Sequence, residues 1–398
     1  MSLPPLHGII VVDFTRVLAG PYCTMVLADM GARVVKIERP GAGDDTRAWG
    51  PPFVGRESAY FLSLNRNKES LAIDLKAPAA REIVTALLTK ADIVVENFSP
   101  GTMEGLGFGY EAVSAAFPKI VYCSISGFGQ SGPRRDEPGY DAVMQAEGGL
   151  MSITGPENGP PYRLGVAIAD ITAAMYAVHG ITMALLARAR SGRGQRVDVG
   201  MLDTTVALLT YQAANYFATG EAPVRLGNRH PSIAPYDTFA ALDGELVIAV
   251  GNDEQWRRFC RVVEADDLAG DERFATNHAR VEHYSALRPL LAGALVSRTR
   301  AWWLRELKVA AIPCGAVRDI AETLADPQLD ARRMIETVEH GTAGAIRLLG
   351  VPVKLSDTPG HVRTAPPSLG QHTDHILRID CGLSPEDIAA LRFSAVVA

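Results

Sequence analysis

At 398 residues the chain is longer than one hydrophobic core usually serves, so two domains, or one domain with another inserted, are expected. Hydrophobic residues make up 47% and charged residues 21%, which is ordinary globular usage and excludes a disordered or fibrous chain. A formal net charge of -6 argues against bulk electrostatic binding to nucleic acid but leaves room for a local basic cluster around a phosphorylated small molecule.

No apolar run in the sequence reaches the roughly 20 residues of a membrane helix, and residues 1–8 lack the pattern of a signal peptide. The expected compartment is therefore the cytoplasm, with no membrane partner. The five cysteines, Cys23, Cys123, Cys260, Cys314 and Cys381, are scattered and form no CxxC pair, so they read as core residues rather than a disulfide framework or zinc site.

Residues 9–14 (IIVVDF) predict a strand, and residues 22–30 a helix after the turn-like Ala19-Gly20-Pro21. Residues 33–37 (RVVKI) predict a second strand. This βαβ order implies parallel strands. Further strands are expected at residues 70–75, 93–95 and 120–125, with a helix over 78–90, so the fold class is α/β.

Residues 167–190 predict a long helix, apolar enough to be buried on most faces, closed by the turn Ser191-Gly192-Arg193-Gly194 and followed by a strand over 195–199. The loop-forming string at 227–235 (GNRHPSIAP) marks a domain boundary. Residues 237–250 then predict a hairpin around Asp243-Gly244. Helices over 255–264, 285–296 and 299–307 and short strands at 314–317 and 345–349 complete the pattern, with no internal repeat.

Common α/β chemistries lack their motifs here. No GxGxxG follows the first strand, and no GxxxxGK[ST], HExxH or Gly-x-Ser-x-Gly occurs. His372 and His375 have only Asp374 beside them, so no metal is expected.

Asp170 ends the otherwise apolar string LGVAIAD (164–170) at the start of the long helix. Position alone allows two roles, a cap for the helix N-terminus or a nucleophile kept away from water. Arg16, Lys36, Arg39, Arg47, Arg66 and Lys68 all fall within the first 70 residues, several beside strands, where an α/β fold binds ligands. Singly each reads as a surface charge; together they suit a phosphorylated ligand.

Four strings carry a resemblance: residues 11–47 from VVDFTRVLAG to DDTR, LNRNKESLAIDLK (64–76), VENFSPGTMEGLGFGY (95–110) and SGRGQRVDVGMLD (191–203). In their length and order they resemble the class III CoA-transferases, the CaiB/BaiF family that includes formyl-CoA transferases and dicarboxylate CoA-transferases. The resemblance spans nearly the whole chain.

It implies a Rossmann-like large domain formed by both chain ends, a smaller inserted α+β domain, and an interlocked homodimer. The boundaries it suggests are 1–205 for the first part of the large domain, 206–228 for a linker, 229–325 for the small domain and 326–398 for the linker and return. It also implies coenzyme A or acyl-CoA as substrate, with no tightly bound cofactor.

The positions matching the family's CoA contacts are Val17, Arg39, Leu64, Asn67, Lys68, Asn97, Phe98 and Tyr140, and Asp170 falls on the family's nucleophile. Arg39 and Lys68 would neutralise phosphate, and Asn97 would hold the pantetheine amides. The chain departs from the formyl-CoA transferase pattern at Leu18, Gly105 and Pro138, which weakens the expectation of CoA phosphate and oxalate contacts there.

The implied reaction passes through an aspartyl mixed anhydride and an aspartyl-CoA thioester, with succinyl-CoA a candidate donor. Arg47, Arg66 and Tyr236 are candidate anchors for an acceptor carboxylate, and residues 250–255 (VGNDEQ) match a loop beside the family's active site. Two rival readings stand beside this one. A CoA-dependent racemase of the 2-methylacyl-CoA type would need a base where this chain has Gly139-Tyr140-Asp141, and a phenol is a poor base at neutral pH. A non-catalytic CoA-binding protein would use Asp170 only as a cap.

Overall fold

The computed structural model describes residues 3–398 and divides into two compact units. Of the described residues, the first comprises 3–150, 163–213 and 327–398, and the second 151–162 and 214–326. Residues 151–162, read from sequence as part of the large domain, thus cluster with the smaller unit.

The first unit is built on six parallel strands: β1 (Ile10–Asp13), β2 (Arg33–Glu38), β3 (Lys68–Ala72), β4 (Ile93–Glu96), β5 (Val121–Ser126) and β6 (Arg196–Gly200). Their spatial order is β3-β2-β1-β4-β5-β6, so successive strands step one way to β3 and then the other way from β4. In such a doubly wound sheet the crevice at the carboxyl ends of β1 and β4, where the direction reverses, is the place for a ligand.

The strands are apolar on both faces because both are covered. Val12, Val35, Leu71, Val94 and Tyr122 belong to one core cluster; their neighbours Val11, Val34, Ile93, Val95 and Val121 belong to the other. The second cluster is completed by α1 (Ala19–Asp29), through Cys23 and Leu27, and by the long helix α5 (Ile168–Ser191), through Ala173, Ala177 and Ile181. Between them in sequence run α2 (Ala59–Leu64), α3 (Pro78–Leu88) and α4 (Asp141–Glu147).

Three expectations need correcting. Ala19-Gly20-Pro21 is the first turn of α1 rather than a turn before it, since proline is tolerated where helix N–H groups have no partner. The strand expected at 70–75 runs Lys68–Ala72, because the segment continues the ladder with β2 from Val34 paired to Lys68. The helix α5 is not buried on most faces: Met175, Tyr176, Met183 and Leu186 are about half exposed. By length and composition alone it is also long and apolar enough to cross a membrane.

The chain returns to this unit at its end. Helices Thr373–Ile379 and Pro385–Phe393 bring Ile376, Leu377 and Ile388, and the residues after them bring Val396 and Val397, into the same cluster as Val12 and Leu71.

The second unit holds an antiparallel sheet of β7 (Tyr236–Ala241), β8 (Gly244–Ala249) and β9 (Cys314–Ala316), with β8 in the middle. The helices Asp253–Val262, Tyr284–Leu295 and Arg300–Val309 close its core around Phe239, Ile248, Trp256, Phe259, Leu287 and Trp303. It is an α+β unit whose hairpin turns at Leu242-Asp243, one residue before the expected Asp243-Gly244, because Gly244 already pairs with Ala241.

Candidate active site

A cavity of about 580 Å³ opens at the carboxyl ends of β1, β4 and β5. Its lining includes Val17, Arg39, Asn97, Phe98, Tyr140 and Asp170 from the sequence-derived set, with Arg16, Trp49, Ile125 and Met201. A second cleft of about 380 Å³ shares Arg16, Arg39, Asp44, Asp45 and Phe98 with it. Ile73, Leu75, Lys76, Gly105 and Leu106 are also among its walls.

The loop after β1 is held by reciprocal bonds. The Asn97 side chain accepts from the Arg16 N–H at 2.9 Å and donates to the Arg16 carbonyl at 2.8 Å. The Val17 N–H donates to Asp44 at 3.2 Å. Val17 itself has φ 68°, a left-handed conformation that β-branched residues rarely adopt and that costs on the order of 1–3 kcal/mol. Asn97 therefore shapes this loop, a role the expectation of pantetheine contacts did not include.

Tyr140, at the cavity, follows Gly139, which packs closely against Gly127. A Cβ on Gly139 would lie 2.6 Å from the Gly127 Cα, so neither position has room for a side chain.

Asp170 occupies the third position of α5, at the cavity wall. Burial pushes its carboxyl up to about 7, the nearby Asp141 adds to the shift, and a hydrogen bond from the Ala19 backbone at the start of α1 works against it. It does not cap its own helix. The Ala169 N–H donates instead to Asp141 Oδ1 at 2.9 Å, which corrects the capping expectation. The Tyr60 phenol of α2 feels the same charges: burial, Asp170 and Asp141 together raise it to about 12.

The rest of the basic cluster is mostly turned inward. Leu64, Asn67 and Lys68 do not line the cavity. The Lys68 ammonium, wholly buried, lies 3.3 Å from Asp13 and donates to the Pro21 carbonyl and to Asn65. Burial lowers its pKa to about 8 although Asp13 pulls the other way. Asn67 ties Asp29 to the 361–364 segment: it donates to Asp29 and the His361 carbonyl and accepts from the N–H groups of Arg363 and Thr364.

Arg66 is bidentate on Asp29, and Arg47 is bidentate on Glu38 while its guanidinium sits 3.7 Å over the Phe61 ring, so neither is free to anchor an acceptor. Lys36 pairs with Asp44 at 2.9 Å and donates to the Thr15 carbonyl. Arg39 alone of the cluster is exposed without an ion pair among the described residues, and Arg16 pairs with Asp45 at 3.0 Å.

In the second unit Tyr236 stacks on His230 at 5.3 Å. The 250–255 loop folds on itself, with Asn252 capping the Gln255 N–H and the Gly251 N–H donating to the Gln255 side chain. No cluster of metal-ligating side chains occurs among the described residues. Sequence reasoning passed over Lys76, Trp49 and Tyr60. Lys76 follows the carboxyl end of β3, so strand position alone would have found it; the two aromatics give no such signal.

The model of CoA-transferase family III matches residues 6–373. The chain belongs to this family. It is similar to the succinyl-CoA:glutarate CoA-transferase of Homo sapiens, with 42% identity over 95% of this chain and 86% of that protein. It is likewise similar to the acetyl-CoA:oxalate CoA-transferase of Acetobacter aceti, with 43% identity over 92% of this chain and 93% of the other.

A solved CaiB/BaiF family protein from Brucella suis superposes with a TM-score of 0.85 at 41% identity, covering 94% of this chain and 99% of that one. This family III CoA-transferase is thus an enzyme that moves CoA from an acyl-CoA donor to a carboxylic acid. Its substrates are acyl-CoA and carboxylate.

Proposed function

We propose that Asp170 is the nucleophile of this transfer and that the carboxyl-end cavity binds the thioester end of the acyl-CoA. The observation that carries this reading is a carboxyl drawn up to about 7 at the cavity wall and left uncommitted by its own helix. Asp170 attacks the donor thioester to give a mixed anhydride and CoA thiolate. The thiolate then attacks the aspartyl carbonyl, releases the donor acid and leaves an aspartyl-CoA thioester. The acceptor carboxylate runs the same steps in reverse, and each exchange preserves an activated acyl group as long as water is kept out.

In this reading Arg39 and Lys76 meet phosphate groups of CoA across the second cleft, whose apolar walls Ile73, Leu75 and Leu106 suit a flat ring. Val17, Phe98 and Tyr140 border the path to Asp170. Relatives that use succinyl-CoA support a dicarboxyl-CoA donor.

We read the half-exposed apolar face of α5 as covered by a second copy in an intertwined homodimer. The opposite face of the same helix is packed into the core of the first unit, as suits a helix between two protein surfaces. Light scattering on the purified protein checks this, with a monomer as the contrary result. The nucleophile is tested by mass spectrometry after succinyl-CoA and then hydroxylamine, comparing wild type with Asp170→Asn. A hydroxamate at Asp170 is expected; no adduct from any of several acyl-CoA donors would remove the reading.

A further inference from the structure

Helix α5 begins without a capping side chain of its own, because Ala167 stands at its N-cap. At the third helical position a carboxylate commonly turns back toward the free N–H groups of its own first turn. Asp170 holds that position, yet Asp141, from another helix, takes the bond from Ala169. The other Asp141 oxygen accepts from Gln145 Nε2 at 2.7 Å, and Gln145 Oε1 accepts from the Leu164 N–H at 2.8 Å. One Asp and one Gln of α4 thereby hold both the lead into α5 and its first turn.

We infer that Asp141 is a positioning residue for Asp170, one that caps the nucleophile's helix in its place and sets a second negative charge beside it. The inference rests on the nucleophile reading above. Two N–H donors face the Asp141 oxygens, which suits a carboxylate rather than a carboxylic acid.

The effect on the reaction follows from where charge goes. In the acylation step an Asp170 oxygen bonds to the acyl carbon, the carbon–sulfur bond breaks, and its electron pair leaves on sulfur as the thiolate of CoA. Asp170 is an anion before the step and neutral after it, so the repulsion from Asp141 is relieved as the acyl-enzyme forms.

The other groups around Asp170 do not duplicate this. Ala19 offers an N–H and Tyr60 a phenol. Of the rim charges, Arg16 and Asp45 pair with each other, Asp44 with Lys36, Glu137 with Arg134, and Arg39 stands in the second cleft as well.

The test labels aspartate carboxyls with carbon-13, assigns Asp170 by comparison with Asp170→Asn, and titrates it in wild type and Asp141→Asn. The Asn oxygen still accepts the Ala169 N–H, but the charge is gone. The wild-type midpoint is expected near 7, and the Asp141→Asn midpoint at least about one unit lower. Hydroxamate trapped at Asp170 from succinyl-CoA at neutral pH should fall by roughly fivefold in the same variant.

An unchanged midpoint, or a lowered midpoint with an unchanged acyl-enzyme yield, would overturn the inference. Should Asp141→Asn fail to fold, Asp141→Ser, neutral and shorter, reads the same two quantities. A wild type that yields no hydroxamate removes the nucleophile and this inference together; equal yields from both proteins remove this inference alone.

Discussion

Two basic stretches beside neighbouring strands meet opposite fates. Arg39 follows the last residue of β2 and reaches solvent at the cavity, whereas Arg66, Asn67 and Lys68 precede or begin β3 and are buried in bonds to Asp29, Asp13 and the backbone. Residue type does not separate them; position on the strand does. The strands are parallel, so the carboxyl ends gather at one edge of the sheet, and a charge there faces the crevice while one at the amino end is available to the core network.

The sharpest way to break this contrast is to remove charges from each side. Outside both stretches, Asp170→Asn should reduce kcat by about a thousandfold or more with little change in KM, which steady-state kinetics checks. Lys68→Met strands the Asp13 carboxylate in the core and should cost on the order of 3–5 kcal/mol by denaturant unfolding. Arg39→Ala should leave that midpoint unchanged and raise KM for acyl-CoA by roughly tenfold. If Lys68→Met behaved like Arg39→Ala, the division between the two stretches would fail.

The smallest effect concerns stability and pH. The folded Asp170 pKa lies above its unfolded value of 3.8, so the stability linked to its proton is fully present below about 4 and lost as pH rises through about 7. Asp170→Asn should therefore raise the Tm by about 2 °C at pH 8. No gain is expected at pH 4, and scanning calorimetry at the two pH values checks both.

The α/β class was legible because β1, β2 and β4 each carry adjacent apolar residues, Val11-Val12, Val34-Val35 and Val94-Val95, that pack on opposite faces, the mark of strands covered on both sides. Asp170 was legible as an oddity, a carboxylate opening an apolar helix. What sequence could not show was which acid caps that helix, since Asp141 and Ala169 are 28 residues apart. Nor could it tell that Arg47 and Arg66 each had a buried carboxylate partner. Strand boundaries mattered too: with β3 expected from residue 70, Lys68 fell outside the strand, whereas its place in the ladder opposite Val34 puts it inside.

The return of the chain end carries a consequence for how the protein is made. Val397 bridges Ile73, and Ile376, Leu377 and Ile388 complete the cluster that covers one face of β1 to β5. During synthesis, at about 5–20 residues per second, α3 can cover part of that face through Ile83, Val84 and Leu87, but the places of Ile376, Leu377 and Ile388 stay open while the whole second unit is still to be added. The second unit, made from one nearly continuous stretch, can close first, so the part of the enzyme that carries Asp170 is the last to become a finished object.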